Sequence, residues 1–131
     1  MDLVKGLHHT ALRCCGEEEM NEAAGFYVKT LGLNMVRRWG EGKEAGCMID
    51  AGNGIIEFFA DAEKERETGV IDHIAFYTDK VEECVENCRK EGLTIVIPPE
   101  NITVPSEKPY PLKIAFVKGK AGEIIEFIQE L

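Results

Sequence analysis

Ile55-Ile56-Glu57-Phe58-Phe59, in the middle of the chain, returns near its end as Ile124-Ile125-Glu126-Phe127-Ile128. Upstream of each lies a second matched stretch, His9-Thr10-Ala11-Leu12-Arg13 before the first and His73-Ile74-Ala75-Phe76-Tyr77 before the second. The two histidines and the two glutamates are offset by nearly the same number of positions, so the chain reads as an internal duplication. Successive side chains on a strand point to opposite faces. His9, Glu57, His73 and Glu126 then share one kind of face, and Ile56, Phe58, Ile74, Phe76, Ile125 and Phe127 point the other way toward a core. Two imidazoles and two carboxylates make a full protein ligand set for one divalent ion.

The segments around these stretches extend the repeat. In the first copy, residues 7–14 read as a strand. Glu17, Glu18 and Glu19 then suit a helix N-terminus. Ala23, Phe26, Tyr27 and Leu31 continue at helical spacing to Gly32. Strands follow at 34–39, 46–51 and 54–60, with Gly40-Glu41-Gly42 and Gly52-Asn53-Gly54 as turns. Residues 61–68 form a charged link. The second copy has a strand at 70–78 and a helix at 79–91, opening on an Asp79/Glu82 capping box. That helix has an apolar face of Val81, Cys84, Val85 and Cys88 and stops at Gly92. Strands are expected at 93–97, 113–117 and 122–129. Residues 98–111 hold all five prolines and read as a long loop, a lid or partner contact. The order is βαβββ twice, an α+β fold. It is expected to be a single domain, residues 1–131, of two modules (about 5–61 and about 69–131) with curved half-barrel sheets whose helices cover one face.

Bulk properties narrow the function. Apolar residues make up 44% of the 131 and charged residues 30%, enough for a core and inconsistent with disorder. Asp and Glu number 24 against 15 Lys and Arg, a formal charge of −9, which disfavours nucleic acid as a partner. No apolar run is long enough to span a membrane, and the N-terminus has no signal-peptide core. Five cysteines without CxxC spacing read as reduced thiols in a cytoplasmic protein.

The chain resembles the vicinal oxygen chelate superfamily, which includes glyoxalase I, methylmalonyl-CoA epimerase, extradiol dioxygenases and fosfomycin- and bleomycin-resistance proteins. His9 to Arg13 looks like the first-strand motif of bacterial glyoxalase I. Phe26-Tyr27 with Leu31-Gly32-Leu33 resembles the first-helix signature, and Ile56-Glu57-Phe58, Asp72-His73-Ile74-Ala75 and Ile125-Glu126-Phe127 the other ligand-bearing strands. The resemblance implies metal ligands His9, Glu57, His73 and Glu126. Two His with two Glu is the set of the short, nickel- or cobalt-preferring class of glyoxalase I, zinc being the alternative metal. It also implies a homodimer with sites near the interface, and a lyase turning the hemithioacetal of a 2-oxoaldehyde and a thiol, glutathione by analogy, into a 2-hydroxyacyl thioester through an enediolate. Glu126 and Glu57 would exchange the proton, with Glu126 the first choice of base. An acyl-CoA epimerase and a non-catalytic drug-binding resistance protein are the alternatives. The chain departs from glyoxalase I at Ala60, where a glutathione-contacting Asn is common, and at Lys118 to Gly122, where an Asp-Pro-Asp-Gly turn is usual.

Each residue also has an ordinary reading. A lone strand His, or a Glu between isoleucines, is usually just a polar face, and only recurrence at matching points favours a metal. The repeat aligns His9 with His73 and His8 with Asp72, so His9 is the ligand and His8 is expected to face the other way as a hydrogen-bonded histidine. Arg13 is either a salt-bridge partner or, by resemblance, a substrate-anion contact. Tyr77 lies on the His73 face and is expected to line the pocket; Trp39 either lines it or packs in the core. Lys118 and Lys120 either touch an anionic tail or, the preferred reading, form a solvated turn. Cys84 and Cys88 share a helix face that could bind a soft metal, but burial as small apolar residues beneath the helix is the better reading.

Overall fold

The structure, a computed structural model, describes residues 8–63, 73–104 and 108–131. The chain divides into two compact units, Met1–Arg66 and Glu67–Leu131, with the boundary inside the charged link expected at 61–68. The first unit runs β1 (His9–Arg13), α1 (Gly16–Lys29), β2 (Asn34–Trp39), a 3-10 turn (Gly42–Glu44), β3 (Gly46–Asp50) and β4 (Ile55–Phe59). The second runs β5 (Ile74–Tyr77), α2 (Val81–Lys90), β6 (Thr94–Val104), β7 (Tyr110–Lys118) and β8 (Ile124–Glu130). The expected βαβββ order holds in both. Residues 70–72 of the predicted fifth strand, and 64–68 of the link, lie outside the described residues.

The strand orders are β1-β4-β3-β2 and β5-β8-β7-β6. In each unit the last three strands form an antiparallel meander, and the helical crossover lets the first strand lie parallel beside the last. A register shift recurs at equivalent places, between Met35 and Arg37 in β2 and between Ile95 and Ile97 in β6. The duplication therefore reaches down to a β-bulge.

The helices bury the faces that periodicity predicts, except that Leu31, which lies beyond α1, and Cys84 of α2 are only half-buried. Met20, Ala23, Ala24, Phe26 and Tyr27 of α1 are buried, and the Tyr27 ring lies 5.5 Å from Phe58 of β4. On α2, Val81, Val85 and Cys88 are buried, and Phe76 and Phe127 pack 6.5 Å apart on the same side of the second sheet's paired strands β5 and β8. Helix α2 ends as Gly92 predicts. With φ +80°, Gly92 lets its own N–H donate to Arg89 C=O (3.0 Å) and Leu93 N–H donate to Cys88 C=O (3.1 Å). These bonds pair carbonyls of the last turn, Cys88 C=O accepting from Glu91 N–H (3.1 Å) as well.

Two expectations are corrected. No capping box forms at Asp79/Glu82, because the helix starts at Val81 and no side chain caps it. Glu82 instead accepts a hydrogen bond from Lys113 Nζ at 2.6 Å. Residues 98–111 are not one long loop, because β6 runs to Val104 and β7 starts at Tyr110, so most of the segment is the paired arms of a hairpin. Pro98 and Pro99 sit at a second register shift between Ile97 and Glu100, where their missing N–H costs no ladder bond. Residues 105–107 lie outside the described residues.

Burial, and secondarily the nearby Cys84, pushes the Cys88 thiol up to about 12. A raised thiol pKa stabilises the fold fully below the ordinary value near 9, and that contribution is lost as pH rises from 9 toward 12. At pH 7, Cys88→Ala should be less stable than the parent by about 1 kcal/mol for the lost sulfur contact. By about pH 10.5 the parent should have given up ~2 kcal/mol that the variant cannot lose, and the order should invert. Urea midpoints of both proteins at the two pH values check this.

Candidate metal centre

The parallel pairing of first and last strands sets the site. Ala11 is the register partner of Glu57, and Ala75 that of Glu126. His9 and His73 each precede that alanine by two residues and so share its face. His9 Nε2 lies 3.3 Å from Glu57 Oε1, and His73 Nε2 lies 3.3 Å from Glu126 Oε1. The duplicated sequence thus yields one local geometry twice.

Glu57 and Glu126, 8% and 9% exposed, are the only buried charged residues among the described residues. Burying a carboxylate is costly unless it is partnered. Burial pushes the Glu126 carboxyl up, and the neighbouring His73 partly pulls it back. The His73 ring is itself set edge-on to Phe116 of β7, with centroids 5.3 Å apart. Phe116 escaped sequence reading, although alternation along 113–117 predicts its face, because only the register places it opposite Glu126.

Within each pair the donor spacing fits an ion held by both of its members. A charge-assisted N–H···O⁻ bond is about 2.7–2.9 Å, shorter than either pair. Two donors each about 2.0–2.2 Å from one ion, at right-angled to tetrahedral spacing, stand roughly 3.0–3.5 Å apart. No group of three or more His, Cys, Asp or Glu side chains placed to hold a metal occurs among the described residues. Each unit offers one imidazole and one carboxylate.

The rest of the first unit's Glu57 face follows from register. Arg37 pairs with Met48 and Met48 with Glu57, while Trp39 pairs with Gly46 and Gly46 with Phe59. Trp39 therefore lies on the Glu57 face, its ring 6.5 Å from Phe59. Its indole lies over the backbone of Gly46, where any Cβ would collide with it. Gly46→Ala is expected to cost about 1–3 kcal/mol through this overlap. Adding Trp39→Val should recover most of the loss, as the urea midpoints of both variants will show. Arg13 lies on the same face and pairs with Asp61 at 3.8 Å, both about half exposed, so its salt-bridge role is observed. Tyr77 is 66% exposed on the His73 side of β5.

The sequence model of the Glyoxalase/Bleomycin resistance protein/Dioxygenase superfamily matches residues 6–126, and the chain belongs to that superfamily. Among solved structures, it is similar to the lactoylglutathione lyase of Agrobacterium tumefaciens, with 18% identity, 97% of this chain and 95% of that one covered, and a TM-score of 0.66. A glyoxalase family protein from Enterococcus faecalis is 21% identical over 98% of this chain and 99% of that one, with a TM-score of 0.70. A genomically encoded fosfomycin resistance protein from Listeria monocytogenes is 13% identical over 97% and 94%, with a TM-score of 0.71. At these identities the likeness establishes the fold. No curated protein matches the sequence. No helix among the described residues is long and apolar enough to cross a membrane.

Proposed function

We propose that the protein is a metal-dependent lyase of the glyoxalase I type, acting on the hemithioacetal of a 2-oxoaldehyde and a thiol in the cytoplasm. The observation that carries this reading is the recurrence of one buried-glutamate and histidine pair, at the same 3.3 Å, in both units. His9, Glu57, His73 and Glu126 would together hold one divalent ion, nickel or cobalt before zinc, in a homodimer. When bound, such an ion supplies a Lewis acid for two neighbouring substrate oxygens. In this reading Glu126 takes the proton from the carbon bearing sulfur and oxygen, and Glu57 delivers a proton to the adjacent carbon. Their burial keeps water from competing for the proton. Arg13 would leave Asp61 to meet a substrate carboxylate, and Tyr77 would line the mouth beside His73. Nickel-loaded protein should form thioester from methylglyoxal and glutathione, and metal-stripped protein should not. Absence of turnover with nickel bound would remove the glyoxalase reading.

A second reading is favoured by Ala60, which is fully buried and offers a thiol cofactor no polar contact. In that reading the same pairs serve an epimerase of an acyl-CoA thioester. Deuterium exchange alpha to a thioester carbonyl, without glutathione, distinguishes it.

A further inference from the structure

His8 is hydrogen-bonded, as expected, and its partner is the His9 ring. His8 lies just before β1, so strand alternation does not govern it. Its main chain is nonetheless fixed, because His8 C=O accepts a hydrogen bond from Ile55 N–H at 3.0 Å. Its ring meets that of His9 edge-on, with centroids 5.2 Å apart and planes at 88°. His8 Nδ1 lies 2.9 Å from His9 Nδ1. One nitrogen of His9 thus meets His8 while the other, Nε2, meets Glu57.

An imidazole ligates through a lone pair, so a ring that ligates through Nε2 carries its proton on Nδ1. That proton needs an acceptor, and the acceptor fixes both the tautomer and the ring plane. We propose that His8 is a positioning residue of the metal centre, its Nδ1 accepting the Nδ1 proton of His9 so that the His9 Nε2 lone pair is presented beside Glu57. The inference rests on the metal-site reading above. At the aligned position of the second copy the sequence has Asp72, also an acceptor type. With Nδ1 accepting that bond, a neutral His8 carries its own proton on Nε2 and offers an ion no lone pair.

The test separates the acceptor from the ring. Nickel affinity, measured by calorimetry with the metal alone, is compared among the parent protein, His8→Phe and His8→Asn. Phe keeps a ring and loses the acceptor, so affinity should fall about 10–100-fold. Asn places an oxygen where Nδ1 stands, and affinity should return to within about threefold of the parent. The visible spectrum of the cobalt-loaded protein should be perturbed by Phe and restored by Asn. Equal affinity in the parent and His8→Phe would overturn the positioning role while leaving the metal site intact. A weakening shared equally by Phe and Asn would also overturn it, marking a structural role. A parent that binds neither nickel nor cobalt would instead overturn the metal reading, and this inference with it.

Discussion

For the proposed reaction, Glu126→Gln is expected to lower the kcat of the nickel-loaded protein by about 10²–10⁴, the range over which a positioned general base acts. Gln retains the size of Glu and an oxygen able to ligate, but it cannot take a proton. The expected pattern is a collapse of turnover with nickel content close to that of the parent. Position explains the size of the effect. Glu126 is at the centre of its sheet, between β5 and β7, with Ala75 and Phe116 as register partners. Buried there, its carboxylate is poorly solvated and holds a proton more firmly than an exposed one. Steady-state kinetics with matched metal analysis checks the prediction. Turnover retained in Glu126→Gln would move the base role to Glu57, and Glu57→Gln would then show the larger loss.

Much of this site was legible because strand alternation and duplication are properties of sequence. The faces of His9 and His73 needed only period two, and the helix-facing run Ile56, Phe58, Ile125 and Phe127 is buried as that period requires. What sequence could not supply was register. The 3.3 Å contacts exist because the first strand returns beside the last, offset by two residues, in both copies. No local pattern encodes that offset. The same limit hid Phe116 and the seating of Trp39 on Gly46. Residues 98–111 were misread for another reason, since proline is depleted in strands, yet Pro98 and Pro99 occupy a register shift that needs no N–H. The partner of His8 was not legible either, because strand alternation says nothing of contacts between neighbouring rings.

If one ion is held by both pairs, as proposed above, a second large effect is expected. If each His–Glu pair held its own ion, the protein would bind two per chain, and His9→Ala would remove one and leave the other unchanged. Two donors from the protein are few for a structural or catalytic divalent site, which commonly takes three or four. A shared ion predicts one nickel per chain, and His9→Ala and His73→Ala should each weaken it by at least about 100-fold, beyond the cost of losing a supporting contact. The double variant should be little worse than either single one, because the first loss already dismantles the site. Trp39, the one tryptophan of the chain, lies on the Glu57 face and offers a direct readout, since bound nickel should quench its emission. Quenching should vanish in His73→Ala as fully as in His9→Ala, although His73 belongs to the other unit. Quenching that survives His73→Ala at the parent's affinity would mean that the first pair binds alone, and the two glutamates would then have no common substrate across which to pass a proton.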